Sequence, residues 1–244
     1  MDWLNFFSES EKLFNDIFEL VKEDDFRKSQ NVKVFALTSL LICRENLSSI
    51  NVLLNNDLYY ELFMIFRHQI ELMFRLHWLL ETSDEDERKK RTNKIEADSL
   101  RNYQAELNGL KQMKERTFFD DELLDESQKM LDNVKENNPS LVENNLFMRC
   151  ENNIEMAGDL REKYYHQYRF LSMLSHPNPL SRDYFLTTDG KDDFFQHSFY
   201  ESCKYTAKVL KENLNKIIIL FGDELTKLKE IKELQEEFND VVGE

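Results

Sequence analysis

Apolar residues recur every three to four positions along almost the whole chain. From Trp3 to Val21 they fall at Leu4, Phe7, Phe14, Ile17, Phe18 and Val21, the spacing of one helix face. Val32 to Asn55 repeats the pattern through Val34, Leu37, Leu40, Leu41, Leu47, Ile50 and Leu54. A third helix is expected from Asp57, its cap, to about Leu80. It is apolar nearly all round, which places it in the middle of a bundle. Ser83 or Asp84 opens a long polar helix to about Arg116, with one narrow stripe at Ile95, Leu100, Tyr103, Leu107, Leu110 and Met113. A shorter helix follows from about Asp121 to Lys135 and is broken at Asn137-Asn-Pro-Ser140. Leu141 to Met156 also reads as helix. Gly158 interrupts the pattern, and Asp159 caps a further helix that ends before Pro177 and Pro179, since residues before proline avoid the α region. Ser181 to Gln196 is the least regular stretch, and Asp189-Gly190 is its turn signal. His197 to Phe221 and Asp223 to Val242 complete the series.

These elements predict an all-α fold, a single multi-helix bundle of about seven or eight helices spanning residues 1–244, with one short hairpin allowed near 181–196. No internal repeat or interdomain linker interrupts it. The residue 223–242 segment forms an amphipathic C-terminal helix rich in Glu and Lys.

Composition narrows the chemistry. The 244 residues hold only 5 Gly and 3 Pro, too few for a fold of tight turns. Gly109, Gly158, Gly190, Gly222 and Gly243 are scattered, so no clustered loop exists to cradle a phosphate or dinucleotide. Net charge is −15, which repels polyanions at long range and opposes nonspecific nucleic-acid binding. The basic run Arg88-Lys-Lys-Arg91 follows Asp84 to Glu87 and reads as a solvated face with local ion pairs. Cys43, Cys150 and Cys203 are odd in number, far apart and without metal spacing, as in reduced thiols of the cytoplasm. The apolar stretch from Leu58 to Leu80 carries Glu61, Arg67, His68, Gln69, Glu71, Arg75 and His77, which a membrane span does not tolerate. No metal site and no cofactor is expected, and the expected location is cytoplasmic.

Two polar constellations stand out. On the helix after Gly158, Tyr165, Arg169, Ser172 and His176 follow i, i+4, i+7, i+11 and form one stripe. Arginine holds a phosphate and stabilises charge building on it, and a nearby histidine moves a proton at neutral pH. With an RNA 2′-hydroxyl as nucleophile, such chemistry needs no metal. The second constellation is Arg67 and Glu71, with Arg75 one turn on, inside the most apolar helix, where a charged pair is costly unless fully hydrogen-bonded. Arg44 raises the same question in line with Leu37, Leu40, Leu41 and Leu47. Arg67 and Glu71 are expected either to fix helix register or to meet Tyr165, Arg169 and His176 in one cleft.

Two resemblances follow from these residues. The segment Asn56-Asp-Leu-Tyr-Tyr-Glu-Leu with Arg67-His-Gln-Ile-Glu71, and the later Tyr164-Tyr-His-Gln-Tyr168 with Leu-Ser-Met-Leu-Ser-His176-Pro, resemble a bacterial all-helical family of unknown function over roughly residues 36–185. That resemblance implies a site of Arg67, Glu71, Tyr164 or Tyr168, Ser172 and His176. The Arg169…His176 spacing resembles the R-x(4–6)-H signature of HEPN ribonucleases, helical proteins of toxin and antiviral systems that often act as dimers. Arg161…His166 has the shorter spacing. The HEPN resemblance implies catalysis by Arg169 and His176, oriented by Arg67, Glu71 and Tyr165.

Two functions are therefore expected side by side. One is a non-catalytic or sensor-like helical binding protein of bacterial defence or stress, with Tyr164, Tyr168, Ser172 and Arg44 as binding residues. The other is a HEPN-like, metal-independent endoribonuclease acting as toxin or antiviral effector. Expected partners are RNA in a local cleft, a protein partner or neutralising partner, and a second copy of the chain, with no membrane.

Overall fold

The computed structural model describes residues 2–21, 31–113, 121–175 and 193–221. Among them the protein is essentially all-α, with eight α-helices and a two-stranded antiparallel hairpin. The chain divides into two compact units, Met1–Glu81 with Asn153–Glu244, and Thr82–Asn152, where the sequence pattern predicts one domain.

The first unit contains α1 (Trp3–Val21), α2 (Asn31–Asn55), α3 (Tyr59–Leu80), α6 (Asn153–Met156), α7 (Leu160–Leu174) and α8 (Asp193–Leu220). Helix α3 packs against α2, α6, α7 and α8. That central place is what its all-round apolar surface requires. Phe63, Phe66, Ile70, Met73 and Leu79 of α3 are fully buried beside Phe7, Phe14, Leu40, Leu47 and Leu210. Asp57 does not cap α3. It adopts a positive φ of 55°, Leu58 takes the cap position, and the Asp57 carboxylate accepts from the Tyr59 hydroxyl at 2.8 Å.

The second unit contains α4 (Glu85–Gln112), α5 (Asp121–Asn137), a 3-10 turn (Pro139–Leu141), β1 (Val142–Glu143) and β2 (Leu146–Phe147). Asp84 caps α4, its carboxylate accepting from the amides of Asp86 and Glu87. Ala97, Leu107, Leu124, Leu131, Leu141 and Phe147 make this unit's own core. The basic run resolves into local contacts: Arg91 pairs with Glu87 at 3.2 Å and Arg88 Nε donates to the Thr82 carbonyl.

One element differs in kind from its expectation. Residues after Leu141 form a hairpin instead of a helix, pairing Val142 with Phe147 and Glu143 with Leu146. Asn144 and Asn145 both take positive φ, 51° and 61°. Asparagine tolerates that region, and two such residues in succession make the tight turn whose twist matches paired strands. The hairpin predicted near 181–196 lies outside the described residues, apart from 193–196, which open α8. The terminal helix expected at 223–242 also lies outside them. Among the described residues, no helix is long and apolar enough to cross a membrane.

Candidate functional site

The charged pair of α3 is met by α7. Arg67 and Glu71 are one turn apart, and Arg67 Nε donates to Glu71 Oε1 at 3.0 Å. Arg67 also donates from its terminal nitrogen to Ser175 Oγ at 2.9 Å. Tyr168 donates its hydroxyl to the same Glu71 oxygen at 3.3 Å, and Asn153 Nδ2 donates to the Tyr168 oxygen at 3.5 Å. The Arg67 guanidinium stands 5.8 Å from the Tyr168 ring centroid, close enough for cation–π attraction. Phe74 packs edge-on against the other part of that ring.

Local sequence explains the meeting. Tyr164, Tyr168, Leu171 and Ser175 are spaced i, i+4, i+7, i+11, and the first three are buried. Tyrosine suits such a stripe because it buries a ring and keeps a polar tip. Ser175 closes α7, and its hydroxyl donates to the Ser172 carbonyl at 3.2 Å. Arg67 thus brings positive charge to the last turn of α7, where the helix dipole favours a cation. Side chains of Arg67 and Glu71 are 23% and 17% exposed, so their mutual hydrogen bonds replace most of their lost water.

The other expected residues are placed as follows. Arg169 is exposed on α7, and Ser172 is half-buried. Tyr165 is half-buried beneath the Arg161 guanidinium, 5.5 Å from its ring. These three occupy a neighbouring face of α7, and none has a described contact with Arg67 or Glu71. Tyr164 is fully buried and meets Tyr205 of α8 edge-on; burial raises its phenol. Arg44 lies over the Phe18 ring, 5.0 Å from the centroid, between α1 and α2. His176 lies outside the described residues, as do Pro177 and Pro179. Its neighbour Ser175, bound to Arg67, was not anticipated, although it falls on the Tyr164–Tyr168–Leu171 stripe.

The remaining polar groups of the first unit are mostly internal. Cys43 Sγ donates to Gln69 Oε1 at 3.2 Å, and burial pushes its thiol up to about 12. His68 Nδ1 lies 3.4 Å from Asn46 Nδ2, and burial lowers its imidazole. Cys43, Cys150 and Cys203 are free. No group of three or more His, Cys, Asp or Glu side chains is arranged to hold a metal ion among the described residues.

Residues 34–193 match the model of a family of unknown function, DUF5677. The chain belongs to that family. The matched DUF5677 region takes in α2 and α3, all of the second unit and α7. No curated protein and no solved structure matches the chain.

Proposed function

We propose that this DUF5677 protein is a non-catalytic helical binding protein that takes a small phosphate-bearing ligand on the exposed face of α7, with Arg169 as the contacting cation. The observation that carries this reading is the internal use of the neighbouring polar groups. Arg67 donates to Glu71 at 3.0 Å and to Ser175 at 2.9 Å, and Tyr168 donates to Glu71 at 3.3 Å. Groups engaged in this way hold α3 and α7 in register, and a held helix preorganises whatever it presents. Exposed Arg169 is a cation on the adjoining face, and a guanidinium matches phosphate oxygens bidentately.

A second reading, the HEPN-like endoribonuclease using Arg169 and His176, draws on one specific contact. Arg67 reaches Ser175, the residue directly before His176 in the sequence. One experiment separates the two. Calorimetric titration with inorganic phosphate and with a nucleoside monophosphate is run on the wild type and Arg169→Ala, beside incubation of these two and His176→Ala with total RNA. Saturable binding, weakened roughly tenfold or more in Arg169→Ala, a difference of about 1.4 kcal/mol, with RNA left intact, supports the binding protein. RNA cleavage lost in both Arg169→Ala and His176→Ala overturns it in favour of the nuclease. Absence of binding at millimolar ligand also overturns it.

A further inference from the structure

A second polar cluster lies further along α3 and takes no part in the Arg67 network. His77 is held from two sides. Lys216 of α8 brings Nζ to 3.0 Å from imidazole Nδ1, and Asp159, just before α7, brings Oδ1 to 2.7 Å from Nε2. The Nε2 atom is buried, and the Asp159 carboxylate is the group that faces it. The imidazole is 12% exposed and the Asp159 side chain 82%. The array therefore runs from a surface carboxylate, through a covered imidazole, to a half-buried amine.

The chain is shaped to this array. Gly158 has a φ of +50°, and a Cβ there would come within 3.2 Å of His77 Nε2 and 3.3 Å of Glu81 Oε1. Only glycine takes that conformation and that approach together without strain. Burial, and then Lys216, push the His77 imidazole below its ordinary value, against Asp159 and Glu81. Burial likewise lowers the Lys216 ammonium, against Glu212 and Asp159. Among the described residues, the titratable groups around the pair are Asp159 from the loop, Glu81 from the end of α3, Glu212 from α8, and Lys163 of α7, which pairs with Glu212 at 3.0 Å.

We propose that Lys216 is a nucleophilic amine for small aldehydes and ketones, with His77 as its proton acceptor and Asp159 as the group that orients the imidazole. Carboxylate, imidazole and nucleophile in that order are the arrangement by which a base activates a weak nucleophile. The neutral amine adds to the carbonyl carbon and forms the C–N bond. The proton released from nitrogen passes to His77 Nδ1. His77 returns it to the alkoxide oxygen, which gives the carbinolamine; the second N–H proton then follows the same path through His77 to the hydroxyl, which leaves as water and yields the neutral Schiff base. Atoms balance with no oxidant, reductant or further reactant. A lysine that only bridges helices would stay protonated at neutral pH and react slowly.

Brief reductive methylation of the whole chain tests this, using formaldehyde with cyanoborohydride from pH 6 to 10 and locating the labelled lysines by peptide mass spectrometry. Lys216 is expected to label with a midpoint at lower pH than exposed Lys90, and faster at neutral pH by about tenfold for each unit its pKa is depressed. His77→Gln is expected to bring the Lys216 rate down to that of Lys90 or below while leaving Lys90 unchanged. Asp159→Asn, at a mostly exposed side chain, is expected to reduce it less, and keeps the test open where His77→Gln does not fold. Labelling of Lys216 no faster than Lys90 at neutral pH, or rates untouched by both substitutions, overturns the proposal.

Discussion

A charged pair in the most apolar helix of the molecule is expensive unless each group finds partners. Arg67 meets Glu71, Ser175 and the Tyr168 ring, and Glu71 accepts from both Arg67 and Tyr168. Replacing Arg67 by Ala strands a carboxylate that is 17% exposed, and the expected cost is about 2 kcal/mol of stability in urea unfolding. Removing both partners, as Arg67→Met with Glu71→Leu, is expected to cost less than the two single changes added together, because no charge is then left buried. Additive losses would mean that the pair is not coupled. The i,i+4 spacing of Arg67 and Glu71 made this pair legible in the sequence. Its partners were less legible for a physical reason. Reading α7 for its polar stripe selects Tyr165, Arg169 and Ser172, and only the family resemblance named Tyr168, whereas the helix turns its aromatic stripe inward, and Tyr168 with Ser175 carries the polar tips to Glu71 and Arg67. His77, Lys216 and Asp159 come from three separated segments, and no local spacing announces them.

Among the elements, the central placement of α3 was the most readable feature and the hairpin the least. Helix α3 needed only its all-round apolar surface to be placed among α2, α6, α7 and α8. Helix α4 is a different case, because its surface is largely polar and few of its residues are buried. Such a helix depends more heavily on its ends. Asp84 accepts from the amides of Asp86 and Glu87, groups that otherwise have no intrahelical partner. Asp84→Ala is expected to lower stability by about 1 kcal/mol, with Asp84→Asn nearly neutral, as read by chemical denaturation. Equal losses from both would assign the effect to charge near the helix dipole instead of the cap. Residues 142–147 misled the periodicity because Val142, Leu146 and Phe147 fit helical spacing as readily as a short strand pair. The deciding residues were Asn144 and Asn145, whose positive φ ends helical continuation.

At the scale of the whole molecule, the DUF5677 match runs through two compact units, each with its own core. In the second unit, Leu131 is fully buried with Ala97, Leu107, Leu124, Leu141 and Phe147. The first unit's core is separately filled by α3 and its neighbours. A cavity acts on the cooperative block that contains it, since local opening energies follow the packing of contiguous units. Leu131→Ala removes side-chain volume from a small core, at an expected cost of about 2–5 kcal/mol. Hydrogen exchange followed by mass spectrometry is expected to show amides of α4 and α5 exchanging faster in this variant, with those of α3 and α8 holding wild-type protection. Loss of protection in all four helices by the same amount would show that the chain opens as one block. In that event the Arg67 network and the His77 array would share the stability of the second unit, and substitutions in either would have to be read against global unfolding.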